Sequence, residues 1–235
     1  MLTLYPAASR YSFDKGWVRG KYSFSFADYD DPTNTQFGPI RVFNDDTIAP
    51  GRGFGAHPHS DMEIVSLVLS GQLRHEDNLG NIAVTSFGEI QRMSAGSGVI
   101  HAEHNGSDTE EVNLLQMWFM PSSKGLQASY ETTRFNTELM INALLPVVAQ
   151  QGSTDVAAIN QDMTIYVSKL ESGKRISFSQ AEGRKIFIFV LEGQLAVNED
   201  SVLHSRDSAR ITDIHQLELS ADVSSSAFFV LIDLP

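Results

Sequence analysis

Short apolar runs, broken every few residues by glycine, asparagine, aspartate or serine, dominate this chain of 235 residues. Several runs alternate between apolar and small or polar side chains, a pattern typical of half-buried strands, and no long amphipathic helical pattern stands out. Exposed strand edges promote aggregation, so chains of many short strands form barrels or sandwiches. We therefore predict an all-β fold.

Recognisable turns separate the predicted strands. Asp77-Asn78-Leu79-Gly80-Asn81 is predicted to be a hairpin turn, because Gly80 can adopt a positive φ. The strand candidates are Tyr22–Phe26, Ile40–Phe43, Glu63–Leu69, Gln72–Glu76, Ile82–Phe87 and Leu114–Met120.

An internal repeat indicates two related halves. Val68-Leu69-Ser70-Gly71-Gln72-Leu73 returns 122 positions later as Val190-Leu191-Glu192-Gly193-Gln194-Leu195, and the same offset aligns Gly51 with Gly173. Two matches at one offset favour a duplication. We predict an N-terminal domain over residues 1–125, a connecting segment over 126–159 and a C-terminal domain over 160–235.

Composition excludes several classes of function. The chain has no cysteine, which excludes disulfide scaffolds, thiolate nucleophiles, iron–sulfur clusters and zinc fingers. Its formal net charge of −12 and scattered basic residues argue against direct binding of nucleic acid. The apolar stretch at 143–149 is too short to cross a bilayer, and residues 1–9 do not resemble a signal peptide. We expect a cytoplasmic protein without membrane contact.

Two pairs of metal-binding side chains share the same spacing. His57 and His59 lie two residues apart, as do His101 and Glu103, so each pair projects from one face of a strand. Two such strands can assemble a site with three nitrogen ligands and one oxygen ligand, which suits divalent iron, nickel, cobalt, copper, manganese or zinc. Glu63 has the same strand parity as His57 and His59, so periodicity leaves it as an alternative oxygen ligand.

These residues stand within two longer motifs. Gly51-x5-His57-x-His59-x3-Glu63 is followed by Gly88 and by Gly98-x2-His101-x3-Asn105, a pattern that resembles the two motifs of the cupin superfamily. The sequence in and around these motifs resembles the pirin family, with most of the matching residues between positions 12 and 121. The segments that carry this resemblance are Tyr22–Ala27, Arg41–Asp46, His57–Ile64 and Met93–Gly96.

The resemblance implies a bicupin: two antiparallel β-barrels of jelly-roll type packed face to face, with one divalent metal ion per chain in the N-terminal barrel. The implied ligands are His57, His59, His101 and Glu103, with iron(II) as the expected metal. Glu103 rather than Glu63 is therefore the expected fourth ligand, and it is also the candidate general base.

The resemblance also carries a function. Bacterial pirins often have quercetin 2,3-dioxygenase activity, which uses dioxygen to open a flavonol ring and releases carbon monoxide. We therefore expect a flavonol-like substrate. The alternatives are a cupin enzyme of other specificity and a non-catalytic, metal-binding pirin that acts as a redox-sensitive interaction protein or transcriptional co-regulator, like eukaryotic pirins. An acidic surface would suit a basic protein partner.

Other candidates are interpreted as structural. The offset of 122 places Ser179, Ala181 and Lys185 at the positions of His57, His59 and Glu63, so the C-terminal domain is predicted to lack a metal. His75, between Arg74 and Glu76, is expected at the surface, and His104 on the face opposite His101. The residues interpreted as core, with the cavity above the metal as the alternative, are Phe54, Met93, Met117 and Trp118.

Overall fold

A computed structural model describes residues 1–198 and 200–235, and within them regular structure is almost entirely β. The helical segments of these residues are two 3₁₀ turns, Ala7–Ser9 and Thr137–Met140. The predicted all-β fold is confirmed. No helix in the described residues is long and apolar enough to cross a membrane.

Twelve strands lie in the first 135 residues. They are β1 (Leu2–Tyr5), β2 (Tyr11–Asp14), β3 (Val18–Tyr22), β4 (Ile40–Ile48), β5 (Gly53–His59), β6 (Glu63–Ser70), β7 (Leu73–Asp77), β8 (Ile82–Thr85), β9 (Glu89–Ser94), β10 (Val99–Asn105), β11 (Val112–Phe119) and β12 (Ser129–Arg134).

The remaining strands follow the second 3₁₀ turn. They are β13 (Leu145–Ala149), β14 (Ala157–Ala158), β15 (Thr164–Leu170), β16 (Arg175–Ser179), β17 (Lys185–Val197), β18 (Ser201–His204), β19 (Ser208–Thr212), β20 (Gln216–Ala221) and β21 (Ala227–Leu234).

Two compact units share the chain, and neither is contiguous. One comprises residues 11–135 and 151–161, and the other residues 1–10, 136–150 and 162–235. This division differs from the contiguous boundaries expected at 125 and 159. The N-terminal residues join the second unit because β1 pairs with β19 through Leu2–Ile211 to Tyr5–Ser208. Residue spacing along a sequence carries no signal for such a long-range pairing.

The unit of residues 11–135 contains two antiparallel sheets. A seven-stranded sheet has the order β12-β9-β6-β11-β4-β3-β2, and a four-stranded sheet has the order β5-β10-β7-β8. Phe54 and Leu73 of the smaller sheet pack with Val18, Val68 and Leu114 of the larger one. The sheets form a sandwich rather than the closed barrel that was expected, while the cupin architecture itself stands.

Most predicted strands are present, with shifted ends. The candidate at Ile40–Phe43 continues to Ile48, and the turn at 77–81 is confirmed, with Gly80 at φ 92°. The strand predicted over Tyr22–Phe26 instead ends at Tyr22. Ser25 donates its backbone N–H to the carbonyl of Asn34 and its hydroxyl to that of Asp31, which folds this segment into a loop.

The second unit repeats the local features behind the predicted duplication. Gly71 and Gly193 have φ angles of 76° and 79°, and a Cβ at either position would collide with the backbone of a neighbouring segment. Gly51 and Gly173 have φ angles of 61° and 70°. β16 pairs with β20 as β5 pairs with β10. Matching backbone constraints at matching positions support an origin by duplication.

Candidate metal centre

Strands β5 and β10 bring three histidines together. His101 lies directly opposite His57, and Val99 lies opposite His59, so the predicted same-face projection of His57 and His59 meets His101 across the pair. Their ring nitrogens lie within 4.8 Å of one another. The Nε2 atoms of His57 and His101 are 3.1 Å apart. This spacing is short enough for a single ion to contact all three rings.

Glu103 lies next to this cluster and is held by the opposite sheet. Its carboxylate is 2% exposed and lies within 4.8 Å of ring nitrogens of His75 and His101. Gln91 on β9 donates its Nε2 to Glu103 Oε1 at 2.6 Å, and Gln116 on β11 donates its Nε2 to Oε2 at 2.5 Å. Two amide donors thus fix the orientation of the carboxylate. We refer to Gln91, Glu103 and Gln116 as the glutamine clamp.

Glu63 occupies a different environment. β5 ends at His59, and a turn with Asp61 at φ 48° intervenes before β6 begins at Glu63, so the strand parity that linked these positions is broken. The Glu63 carboxylate accepts hydrogen bonds from Ser94 Oγ at 2.7 Å and from the backbone N and Nδ2 of Asn160 at 3.2 Å. It belongs to neither group of metal-ligand side chains found among the described residues.

His75 is buried, so the expectation of a surface position was wrong. Its Nδ1 lies 3.4 Å from His101 Nδ1, its Nε2 lies 3.2 Å from Asp77 Oδ2, and its ring stacks on Tyr130 with centroids 4.2 Å apart. The charged neighbours Arg74 and Glu76 misled the prediction. They pair with each other on the opposite, exposed face of β7.

The buried chain Asp77–His75–His101 has a consequence for ligation. It meets the Nδ1 side of the His101 ring, while the Nε2 side faces His57. Partners on the far side of a ligand imidazole fix its orientation and decide which ring nitrogen is free to bind a metal. Nε2 of His101 is therefore the atom directed into the cluster.

Burial favours the neutral form of two of these imidazoles, His59 and His101. Desolvation, reinforced by the neighbouring histidines, lowers the pKa of His59 to about 4 and that of His101 to about 3. A neutral imidazole has a lone pair available for a metal without first losing a proton. His57 Nδ1 lies 2.8 Å from the carbonyl of Gly55, which places the proton on Nδ1 and leaves the Nε2 lone pair facing the cluster.

The side chains present therefore fit a transition metal. His59 Nε2 is buried and has no hydrogen-bond partner among the described residues. A buried polar atom without a partner is costly, and coordination to an ion would remove that cost. Three imidazole nitrogens beside a carboxylate are a donor set that suits divalent iron, nickel, cobalt, copper or zinc.

A cavity of about 400 Å³ opens onto the cluster. Its walls include His57, Glu103 and Gln116, so two of the four candidate ligands, His57 and Glu103, face it directly. Phe54 and Trp118 line it, which corrects their interpretation as plain core, whereas Met93 and Met117 are fully buried, as expected. The other lining residues are Phe13, Lys15, Trp17, Val18, Tyr22, Phe26, Ala27, Asn44 and Asp46.

Both halves of the chain match known protein families. The family model described as Pirin matches residues 6–119, and the model described as Quercetinase C-terminal cupin domain matches residues 146–234. A quercetin 2,3-dioxygenase of Escherichia coli is 38% identical over 235 residues, covering 100% of this chain and 99% of that protein. This chain belongs to the pirin family.

Two further relatives bear on the fold and the metal. A pirin-like protein of Caulobacter vibrioides is 36% identical over 221 residues, covering 94% of each chain. The crystal structure of a bacterial pirin from Escherichia coli in complex with nickel(II) superposes with a TM-score of 0.93 at 36% identity, covering 100% of this chain and 99% of the other. A close structural relative of this pirin therefore binds a divalent metal.

Sequence reasoning missed three polar groups of this pirin site: Gln91, Gln116 and the His75–Asp77 pair. A signal was present for Gln116, which interrupts the apolar run from Leu114 to Phe119, whereas the polar neighbours of Gln91 on β9 gave none. For His75 the signal was its two-residue spacing from Asp77, which resembles that of the two ligand pairs.

Proposed function

We propose that this pirin is a metal-dependent quercetin 2,3-dioxygenase, which cleaves a flavonol with dioxygen and releases carbon monoxide. The observation that carries the proposal is a cluster of three histidines beside a clamped carboxylate, of which His57 and Glu103 lie on the wall of an aromatic-lined cavity. Relatives of 38% identity over the full chain are named as quercetin 2,3-dioxygenases, which supports the substrate class. The fold alone would not fix a substrate.

We propose iron(II) as the metal, with His57, His59, His101 and Glu103 as its ligands. When bound, a divalent metal of this kind supplies a Lewis acid that stabilises the deprotonated 3-hydroxyl of a flavonol, together with redox capacity toward dioxygen. The nickel(II) complex of the related pirin supports binding of a divalent ion. Elemental analysis of the purified protein would identify the metal.

Glu103 is proposed to remove the proton from the flavonol 3-hydroxyl. It lies on the cavity wall, and each of its oxygens accepts one amide hydrogen bond, so further lone pairs remain to accept a proton. The glutamine clamp holds the carboxylate in place while this happens. A fixed base within hydrogen-bonding reach of the proton it takes is the geometric requirement for general base catalysis.

The aromatic walls are proposed to position the flat rings of the substrate. Trp17 and Phe54 meet edge to face with centroids 5.1 Å apart, and Phe26 and Trp118 do so at 5.3 Å. Binding pockets for small molecules span roughly 300–1,000 Å³ and are largely apolar. A cavity of this size and lining can bury much of a flavonol and exclude water from the reacting centre.

Aerobic incubation of metal-loaded protein with quercetin tests the proposal. We expect flavonol absorbance to fall while carbon monoxide is released in equal amount. His57→Ala should bind little metal and release no carbon monoxide. Free metal in buffer is the necessary control, because quercetin oxidises slowly unaided. Carbon monoxide no greater than in that control would refute the dioxygenase proposal and favour a metal-binding interaction protein.

A further inference from the structure

A row of polar side chains crosses the large sheet at one level. Gln91 lies opposite Ser66, Ser66 opposite Gln116, Gln116 opposite Asn44, and Asn44 opposite Tyr22. Directly opposed residues of antiparallel strands share a face, so all five side chains point to the same side of the sheet. Two of them belong to the glutamine clamp. Asn44 and Tyr22 continue the row along the cavity wall.

Asn44 is the member of this row that brings a buried amide oxygen without a partner to the cavity wall. It is 1% exposed and lines the cavity, and its Oδ1 has no hydrogen-bond partner among the described residues. An amide oxygen buried in this way is disfavoured unless something donates to it. The neighbouring Gln116 amide already donates to Glu103. A donor from a bound molecule is the natural partner for Asn44.

Asp46 adds a second acceptor on the same face. It lies two residues further along β4, which is roughly 7 Å in a strand, and it also lines the cavity. An amide oxygen followed by a carboxylate offers acceptors to hydroxyl donors and repels anionic groups. Aromatic rings flank both positions, since Tyr22 and Phe26 line the same cavity in edge-to-face contact at 5.1 Å.

We propose that Asn44, assisted by Asp46, recognises hydroxyl groups on the rings of the substrate, so that this cavity selects polyhydroxylated flavonols over flavonols without ring hydroxyls. The inference rests on the proposed function, because it names what that same site distinguishes. Asn44 is a specificity-determining residue in this scheme. Glu103 and a bound metal would hold the 3-hydroxyl, and Asn44 would accept a hydrogen bond from a hydroxyl group elsewhere on the planar molecule.

The chain contains its own probe of occupancy. It has two tryptophans, Trp17 and Trp118, and both line the cavity. Protein carrying the metal with which it is purified would be titrated under argon with quercetin and with 3-hydroxyflavone, and tryptophan fluorescence corrected for ligand absorption would give each Kd. We expect wild-type protein to bind quercetin about 10-fold more tightly, as one hydroxyl paired to a buried acceptor would give.

Three variants isolate the role of Asn44. Asn44→Leu removes the acceptor and should bring the ratio of the two Kd values close to one, whereas Asn44→Asp retains an acceptor and should preserve a preference. Ser66→Ala is the matched control: Ser66 is buried in the same row and its Oγ also lacks a partner, but it does not line the cavity. Its ratio should equal that of the wild type. If Asn44→Leu does not fold, Asn44→Ala replaces it.

Three results would overturn the proposal. The wild type could bind both flavonols with equal Kd values, or bind neither, or the folded Asn44→Leu or Asn44→Ala variant could keep the wild-type ratio. Oxygen is absent throughout, so the outcome does not depend on turnover. Selective binding without carbon monoxide release in the aerobic assay would refute the dioxygenase proposal and leave the role of Asn44 supported.

Discussion

Thermal unfolding with and without metal should distinguish the roles of the two buried glutamates near the candidate metal centre, Glu63 and Glu103. Glu63→Gln and Glu103→Gln make the same chemical change at two similarly buried positions, 1% and 2% exposed. Only Glu103 lies in a group of metal-ligand side chains, whereas Glu63 accepts three hydrogen bonds from Ser94 and Asn160. We expect both variants to lose stability without metal, because Glu103 also accepts two amide hydrogen bonds, but only Glu103→Gln to lower metal affinity.

The expected magnitudes follow from these contacts. Hydrogen bonds to charged groups contribute about 1.5–3 kcal/mol each, so partial loss of three should cost Glu63→Gln about 2–4 kcal/mol with or without metal. At a metal concentration 100 times its Kd, binding stabilises the wild type by about 2.7 kcal/mol. If Glu103→Gln weakens binding about 100-fold, that increment falls to about 0.4 kcal/mol.

Calorimetric Tm values, measured with and without added metal, report the loss of stability and the loss of metal-induced stabilisation directly. A change of 1 kcal/mol moves Tm by about 2–4 °C in a protein of this size. The metal-induced rise in Tm should persist in Glu63→Gln and nearly vanish in Glu103→Gln, and metal content by elemental analysis should follow the same order. A metal-induced rise that disappears in Glu63→Gln and survives in Glu103→Gln would show that the fourth ligand has been assigned to the wrong carboxylate.

Two further predictions concern metal count and pH. Each chain should bind one metal ion tightly, because Ser179 pairs with Gln216 where the N-terminal half pairs His57 with His101. A second tightly bound ion within residues 160–235, found by metal analysis and crystallography, would contradict this. Metal-free protein should lose stability as pH falls from about 6.5 toward 4. The folded state lowers the pKa of His59 to about 4 and that of His101 to about 3. In this pH range the unfolded chain therefore binds protons that the folded chain does not. Urea unfolding across that range measures the slope, which His101→Asn should reduce, and a flat profile in the unmutated protein would disprove it.

Local pattern was enough to predict much of this molecule. Alternation and turn residues located most strands, and the spacing of His57 and His59 predicted the face they share. Such features depend on residues close in sequence, where strand geometry is nearly fixed. The exception at Tyr22–Phe26 arose because the hydrogen bonds of Ser25 to Asp31 and Asn34 outweigh the alternation.

Long-range pairing was beyond reach for a physical reason. Nothing near Glu103 in sequence announces Gln91 or Gln116, since these residues meet only after two sheets have packed together. The same holds for β1, whose partner β19 lies about 200 residues away. The burial of His75 was missed because charged neighbours indicate one face of a strand and say little about the other.

The glutamine clamp joins the two sheets of the sandwich through a single carboxylate. Glu103 belongs to the four-stranded sheet, whereas both of its amide donors belong to the seven-stranded sheet. Any fluctuation that separates the sheets must therefore break these hydrogen bonds and displace the carboxylate. With Glu103 as the proposed fourth ligand, metal release and opening of the sandwich would be one cooperative event, and amide hydrogen exchange in β9, β10 and β11 should slow together when metal binds. Packing substitutions far from the histidines would then change the rate of metal loss by changing how often the sheets part.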